Sequence, residues 1–378
     1  MTCRQRALAA GGTLFVALLA FSSNVAAQTP PPDPITLYSF IGGRDGAMPW
    51  GNMAIVGGPS GPSVLYGATN SDPSVVFSLT PSTAPGGSWT YEVLHSFTGG
   101  SDGAVLLGGV VMGGGGVLYG TTLHGGGGAR CDDGTLGCGT VFSLTLPASP
   151  GAAWTEAVLY SFTGASDGGL PCAGVTIGAG GVLYGTTIAG GTFDWGTVFS
   201  LTPPASPGAA WSETVLHSFA SGRNGASPYA AVVIGPGGGL YGTTSTGGTA
   251  ECGTVFTLKP PASPGGAWTE GTLYSFACAP DGNGPVASVV MGGDGALYGT
   301  TGSGGDGNCS SGCGTVFSLT PPASPGGAWT EAVLGFGGSP SEGASPRAGV
   351  VIGPGGVLYG TTLDGGISNN GTVFAWKP

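Results

Sequence analysis

The chain has 378 residues, of which 81 are glycine, 30 are proline and only 7% are charged, while 40% are hydrophobic. That hydrophobic content is enough to bury a core and argues against a disordered chain, so the glycines are interpreted as turns between many short strands. The formal net charge of −11 argues against a nucleic-acid partner, because phosphate binding needs clustered lysine and arginine side chains.

Residues 1–27 have the pattern of a signal peptide. Arg4 and Arg6 supply the charged start, an apolar stretch runs from Leu14 to Phe21, and cleavage is expected after Ala27. A proline-rich linker follows over residues 28–34. No later segment approaches the run of about 18 apolar residues that a membrane span needs. We therefore expect an exported monomer, extracellular or periplasmic, without a membrane span.

From residue 35 onward the sequence contains six copies of one repeat. In the third copy, Gly, Pro, Ser and Asp separate four β-like runs at 173–177, 182–187, 197–202 and 211–219. Runs this short are typical of strands rather than helices. Four strands in about 58 residues are typical of a propeller blade, so residues 35–378 are predicted to form an all-β, six-bladed β-propeller of four-stranded blades. Each copy is marked by Leu-Tyr-Gly, beginning at Leu65, Leu118, Leu183, Leu240, Leu297 and Leu358.

The two ends of the repeat region complement each other. The region opens with Leu37-Tyr38-Ser39-Phe40, which matches the fourth-strand ending at 159–162, and the sixth copy stops after its third strand. We predict that this N-terminal strand completes the last blade and closes the ring, because an open array would leave the terminal sheets unpaired. The alternative is an open solenoid with disordered ends.

A glutamate recurs in the predicted fourth, outermost strand, two residues after a tryptophan. In the first copy the acid, Glu92, comes one residue later. We interpret the glutamates as solvated charges that discourage pairing with other molecules. The tryptophans are interpreted as packing between blades rather than stacking on carbohydrate. The recurring glutamates are Glu156, Glu213, Glu270 and Glu331.

Together these motifs resemble the bacterial choice-of-anchor tandem-repeat family called GloVer. Leu-Tyr-Ser-Phe, Asp-Gly, Leu-Tyr-Gly-Thr-Thr-x-x-Gly-Gly and Gly-Thr-Val-Phe-Ser-Leu occur in full at 159–162, 167–168, 183–191 and 196–201. The resemblance implies a secreted or surface repeat protein, commonly with a C-terminal sorting anchor, and no established biochemical activity. Here Trp376-Lys377-Pro378 follows the last blade without a hydrophobic tail, which favours release or periplasmic residence over surface retention.

An acidic or amide residue before glycine recurs in the loop after each fourth strand. A propeller would place these loops on one face, around one mouth of the channel. Such a ring could bind Ca²⁺ or a cationic group, since hard cations prefer oxygen ligands. The alternative is turn chemistry, in which the aspartate bonds its own backbone. The six residues are Asp45, Asp102, Asp167, Asn224, Asp281 and Glu342.

Few residues suggest catalysis. His95 and His217 replace the tyrosine of Leu-Tyr-Ser-Phe and are interpreted as packing residues. The enlarged loop of the second copy holds His124, Arg130, Asp132 and Asp133, a weak candidate site that is more simply decoration. We identify no joined nucleophile and base, and no metal site, so no catalytic residue is predicted.

Export makes disulfides reasonable for the cysteines of the repeat region. Three pairs are expected: Cys131 with Cys138, Cys252 with Cys278, and Cys309 with Cys313. Cys172 would then be a free thiol, and a zinc site is the rival interpretation of the set.

Three functions remain open. The preferred one is a noncatalytic extracellular scaffold or binding module for an unknown glycan, peptide or protein, without a cofactor apart from the possible Ca²⁺. The others are a propeller enzyme that acts on glycans at the channel mouth, and a structural envelope or matrix protein. Fold alone does not decide among them.

Overall fold

The computed structural model describes residues 36–57, 63–84, 87–127, 131, 137–147, 149, 152–206, 208–263, 265–324, 326–337 and 342–378. The predicted signal peptide and linker lie outside these residues, and so do Arg130, Asp132 and Asp133 of the second copy.

Six antiparallel sheets follow one another along the chain as the blades of a β-propeller, which confirms the predicted fold class. Blade 1 contains β1 (Pro49–Val56), β2 (Val64–Thr69), β3 (Val75–Thr80) and β4 (Thr90–Ser96). Blade 2 contains β5 (Val111–Met112), β6 (Leu118–Thr122), β7 (Thr140–Thr145) and β8 (Thr155–Ser161). Blade 3 contains β9 (Thr176–Ile177), β10 (Leu183–Thr187), β11 (Thr197–Thr202) and β12 (Ser212–Ser218).

The second half repeats this plan with two additions. Blade 4 contains β13 (Val233–Ile234), β14 (Leu240–Thr244), β15 (Thr254–Lys259) and β16 (Thr269–Ser275), and β17 (Gly282–Asn283) follows it. Blade 5 contains β18 (Val290–Met291), β19 (Leu297–Thr301), β21 (Thr315–Thr320) and β22 (Thr330–Gly335), with β20 (Ser303–Gly304) between β19 and β21. After β23 (Gly343–Ala344), blade 6 contains β24 (Val351–Ile352), β25 (Leu358–Thr362) and β27 (Thr372–Trp376), with β26 (Asp364–Gly365) before the last strand.

Short 3₁₀ turns are the only helical elements among the described residues. Within each blade, consecutive strands pair as hairpins in a repeated register. In blade 3, for example, Gly185 lies opposite Phe199, and Phe199 lies opposite Val215. The small pairs β17–β20 and β23–β26 each link a connection between blades to the following blade.

The hydrophobic core consists of separate clusters at the junctions between adjacent blades. At each junction the phenylalanine that ends one fourth strand meets the phenylalanine of the next blade's third strand edge to face. Phe162 and Phe199 have ring centroids 5.0 Å apart, and Phe219 and Phe256 are 5.2 Å apart. These large side chains are fully buried, so the Leu-Tyr-Ser-Phe and Thr-Val-Phe motifs are the two halves of one junction.

Buried threonines supply the polar part of each blade. The Thr187 hydroxyl lies 2.9 Å from that of Thr197 and accepts the Thr197 N–H at 3.1 Å. The preceding Thr186 donates across the junction to the carbonyl of Ala230 at 3.0 Å. Because an unpaired buried hydroxyl is costly, the doubled threonine of the repeat serves both the blade and its neighbour.

In blades 2 to 6 the innermost strands have two residues each. The run predicted at 173–177, for example, forms only β9. Backbones of adjacent blades approach closely beside these strands, since a Cβ on Gly174 would lie 2.6 Å from the carbonyl oxygen of Gly109 in the preceding blade. In blade 1 the innermost strand, β1, has eight residues.

The predicted closure of the ring by the N-terminal strand is not confirmed. Blade 6 is a three-stranded sheet with the order β24-β25-β27, and residues 36–41 belong to no strand. Instead, Leu37, Tyr38 and Phe40 pack on the core of blade 1.

Candidate functional site: the loop face

One face of the propeller is built from two kinds of loop, those between second and third strands and those that leave each fourth strand. The loop that leaves one blade's fourth strand is hydrogen-bonded, backbone to backbone, to the loop between the second and third strands of the next blade. Examples are the bonds from Gly191 N–H to Ala165 O at 2.7 Å and from Gly248 N–H to Gly222 O at 2.7 Å. We call this surface the loop face. The sequence prediction that both loops open on one side is confirmed.

The recurring aspartates of this face close their own turns. Asp102 accepts hydrogen bonds from the Thr98 N–H at 2.8 Å and the Thr98 hydroxyl at 2.7 Å. Asp281 accepts the Ala277 N–H at 2.7 Å. The Ile41 N–H bonds Asp45 and lowers the pKa of its carboxyl, while the Thr98 bonds lower the pKa of Asp102 against the opposing effect of burial. These contacts favour turn chemistry.

Each aspartate also lies close to the ring of the residue seven positions earlier, which belongs to a fourth strand or, for Asp45, to residues 36–41. The Tyr38 hydroxyl lies 2.9 Å from Asp45, and the Tyr160 hydroxyl lies 3.1 Å from Asp167. The structure therefore places four of the six predicted residues at successive blade junctions, and Asp45 against blade 1. The four at junctions are Asp102, Asp167, Asn224 and Asp281. Glu342 lies at the equivalent place, with its backbone carbonyl accepting the Gly366 N–H at 3.0 Å.

The glutamates of the fourth strands are partly buried rather than fully solvated, which corrects the sequence interpretation. Glu156, Glu213 and Glu331 are half-buried, and each has one inaccessible carboxyl oxygen without a hydrogen-bond partner. Burial, and then the charge of the aspartate from the preceding blade, raises the pKa of Glu156 and of Glu213 to about 7. The pKa of Glu331 is also raised to about 7, with burial as the largest cause.

The junction of blades 4 and 5 shows the arrangement in full. The Tyr274 hydroxyl lies 2.6 Å from Glu331 and 3.0 Å from Asp281. A phenol carries one proton and can donate to only one of two carboxylates. A protonated Glu331 resolves the conflict, because it can donate to the tyrosine while the tyrosine donates to Asp281. In that arrangement Glu331 and Tyr274 each carry one proton, and the two carboxyls and the phenol form one hydrogen-bonded chain between adjacent blades.

Two junctions vary this theme. Between blades 3 and 4 an amide replaces the aspartate, and Asn224 donates to Glu270 at 3.0 Å. In blade 1 the glutamate is displaced by one residue, and Tyr91 takes its register position. The Tyr91 ring stacks on Tyr38 at 4.1 Å and its hydroxyl donates to the Asp45 carbonyl at 2.6 Å.

The histidines hold structural positions. His95 and His217 pack edge to face on Phe97 and Phe219 at 4.6 and 4.8 Å, as Tyr160 does on Phe162, which confirms the packing interpretation. Burial lowers the pKa of both histidines. His124 of the blade 2 loop is only 6% exposed. Its three predicted companions lie outside the described residues, so that candidate site stays a prediction.

Three disulfides brace the loop face, as predicted: Cys131–Cys138, Cys252–Cys278 and Cys309–Cys313. The expectation of a free thiol at Cys172 is wrong, because Cys172 is disulfide-bonded too. Between the second and third of these disulfides lies an open cleft of ≈ 540 Å³, lined by Asn283, Asp306 and the serines of the blade 5 loop.

An exposed aromatic pair on blade 3 was missed in the sequence. Phe193 is 56% exposed and Trp195 is 45% exposed. Asp194 between them has a φ of 61° and accepts the Gly190 N–H at 2.8 Å, while the Trp195 carbonyl accepts the Ser227 N–H at 2.9 Å. The loop that carries the two rings is therefore anchored at both ends. The sequence could have revealed the pair, because the equivalent loop of blade 4 has Ala250 and the disulfide-bonded Cys252 at these two positions.

Within the described ranges, no three His, Cys, Asp or Glu side chains are grouped so that they could hold a metal ion. The same part of the chain has no helix that is long and apolar enough to cross a membrane. What the face offers chemically is two exposed rings, a polar cleft and disulfide-braced loops on a repeated frame.

Fold and loop architecture define a six-bladed β-propeller with repeated blades. The profile of the Gloeobacter/Verrucomicrobia repeat matches residues 128–374, and the chain belongs to this repeat family. No curated protein matches the chain.

Solved structures are similar to the chain at low sequence identity. A protein assigned provisionally as a 6-phosphogluconolactonase of Bacteroides uniformis is 14% identical with a TM-score of 0.52, over 86% of this chain and 80% of that one. A glucose dehydrogenase is 15% identical with a TM-score of 0.43, over 88% of this chain and 97% of that one. A sialidase of Trypanosoma rangeli in complex with sialic acid is 12% identical with a TM-score of 0.42, over 87% and 56%. At 14% identity the likeness to the first of these structures concerns the fold alone.

Proposed function

We propose that the protein is a secreted, noncatalytic binding module whose loop face contacts an extracellular glycan, peptide or protein. The observation that carries the proposal is the exposed pair Phe193 and Trp195. Most other aromatic rings of the blades pack at the junctions, where they are fully or partly buried. Rigidly carried, exposed rings supply contact area at low entropic cost and are enriched in binding hot spots.

The repetition of the ionisable clusters supports a noncatalytic role. A carboxyl–carboxyl pair with a raised glutamate pKa recurs at three junctions, around Glu156, Glu213 and Glu331. Perturbed pKa values also occur in structural networks. A feature built into successive blades serves the blades, whereas a catalytic site is assembled once from residues that break the repeat.

Export is supported by two features. The disulfides Cys131–Cys138, Cys252–Cys278 and Cys309–Cys313 are expected in an oxidising compartment. The sequence of residues 1–27 has the pattern of a signal peptide.

The test is a binding screen with matched variants. The purified mature protein is screened by thermal shift and on arrays against polysaccharide fragments and a peptide library. The double variant Phe193→Ala/Trp195→Ala should keep the wild-type fold by circular dichroism and lose binding of any hit at least tenfold. Ile367→Ser, at a residue 96% exposed on the blade 6 loop, is the control and should bind normally. A hit that is bound equally by the double variant, or that is chemically cleaved, would contradict the proposal.

A further inference from the structure

Blade 6 presents an apolar face that every other blade buries. The valine of the Thr-Val-Phe motif is fully buried by the next blade in blades 1 to 5. In blade 6 the equivalent Val373 is 67% exposed, and Val351 and Tyr359 beside it are 64% and 37% exposed. The five buried equivalents, all 0% exposed, are Val76, Val141, Val198, Val255 and Val316.

Residues 36–41 already have the local structure of a fourth-strand ending. The Tyr38 hydroxyl lies 2.9 Å from Asp45, as Tyr274 lies 3.0 Å from Asp281 in blade 4. The Ile41 N–H bonds the same aspartate at 2.9 Å, matching the bond of 2.7 Å from the Ala277 N–H to Asp281.

The same residues also hold the correct position against blade 1. Phe40 and Phe77 have ring centroids 5.2 Å apart at 69°, and the junction pair Phe219 and Phe256 has the same distance and angle. Residues 36–41 therefore lie against blade 1 as the end of a preceding fourth strand would. What they lack is a third strand to pair with.

We propose that this third strand is β27, so that residues 36–40 pair with it as the fourth strand of blade 6 and blade 1 covers the apolar face of Val373. In blade 2, Thr140 lies opposite Ser161 and Val141 lies opposite Tyr160. Transferred to the ends of the chain, Thr372 lies opposite Ser39 and Val373 opposite Tyr38. The Phe40 N–H then bonds the Gly371 carbonyl.

Two observations favour the chain's own N-terminal segment as the occupant of this surface. Its sequence Leu-Tyr-Ser-Phe is that of the fourth-strand endings at 159–162 and 273–276. Blade 6 also lacks only this strand. A second copy that supplies the same segment in trans is the competing occupant.

A disulfide trap tests the register. Thr140→Cys/Ser161→Cys marks a pair that the structure already places opposite each other, and it is the positive control. Directly opposite residues lie about 4.5–5.5 Å apart at Cα, within the range that a disulfide spans. Ser39→Cys/Thr372→Cys should oxidise to a monomeric cross-linked species in at least half the yield of the control, with the link assigned by non-reducing peptide mapping. A cross-link found only in dimers, or none while the control forms, would overturn the proposal.

A second measurement does not depend on the cross-link. Val373→Ala should lower the melting temperature by at least half the shift of Val198→Ala, whose side chain is 0% exposed. If Val373 is instead exposed to solvent, Val373→Ala should shift the melting temperature by less than a tenth of the Val198→Ala shift, and the inference would be wrong.

Discussion

The half-buried glutamates at the blade junctions should make the protein less stable as the pH rises from about 4.5 to about 7. Glu156, Glu213 and Glu331 have pKa values raised from 4.5 to about 7, chiefly by burial. In that window the folded protein keeps protons that the unfolded chain has released. Since stability falls with pH wherever the folded state binds more protons, deprotonation above pH 7 leaves the junctions with uncompensated charge.

The magnitude follows from the shifts after a reduction for solvent. One pKa unit corresponds to about 1.4 kcal/mol, but each carboxyl is only half-buried, and screening reduces the expected loss to about 1 kcal/mol per glutamate. Three junctions give about 3 kcal/mol. That is a large part of the 5–15 kcal/mol typical of folded proteins.

Of the other titrating groups, Glu270, whose pKa burial also raises, adds to this trend in wild type and variants alike. The histidines oppose the trend, and the aspartates titrate below the window. Burial lowers the pKa of His95 and His217 below 6.5, so the stability that they contribute rises with pH up to 6.5. The pKa values of Asp45 and Asp102 are lowered from 3.8, so the stability that these aspartates contribute is lost only below about pH 4.

Comparing variants isolates the glutamates. A triple variant, Glu156→Gln/Glu213→Gln/Glu331→Gln, imitates the protonated carboxyls. Because it keeps both histidines, their contribution to the free energy of unfolding is the same in the variant and the wild type and drops out of the difference. In urea titrations followed by tryptophan fluorescence, the variant should match the wild type at pH 5 and exceed its free energy of unfolding by about 3 kcal/mol at pH 8. Glu92→Gln, at the exposed glutamate of blade 1, is the control and should change neither value. A difference between variant and wild type that is the same at both pH values would refute the reasoning.

Three further outcomes are expected. Gly242→Ala should cost about 1–3 kcal/mol of stability in urea titrations, because the added Cβ would lie 2.6 Å from the Phe256 ring; Gly271→Ala in the same blade, with its nearest atom at 3.6 Å, should be neutral, and equal costs would contradict the packing argument. Ca²⁺ should leave the melting midpoint where a chelator leaves it, because the loop aspartates already accept hydrogen bonds from their own turns; a rise in Ca²⁺ would favour the cation site. N-terminal sequencing of protein exported by a bacterial host should begin at Gln28, and an intact leader in the cytoplasm would contradict export.

The repeat was readable from the sequence because each blade uses the same residues for the same local task. Leu-Tyr-Gly-Thr-Thr and Thr-Val-Phe mark two strands that pair in one register, and glycine marks the turns. Six copies therefore indicated six blades. The disulfide pairs were also predictable, since Cys309 and Cys313 are only four residues apart within one loop.

The environment of an individual side chain was not readable in the same way. Glu156 and Glu331 were interpreted as exposed, because a strand pattern shows which face of the sheet a residue takes but not what lies beyond it. The aspartate and tyrosine that surround Glu331 come from the preceding blade, 50 and 57 positions earlier in the chain for Asp281 and Tyr274.

The sequence by itself determined the all-β class, the number of blades, the hairpin order and the loops that share a face. All of these follow from local turn chemistry and a period that repeats. Only the tertiary structure decided which carboxyls are buried, which rings are exposed and which end of the propeller is covered. Those properties depend on contacts between blades, and no periodic pattern within one blade encodes what the neighbouring blade brings against it.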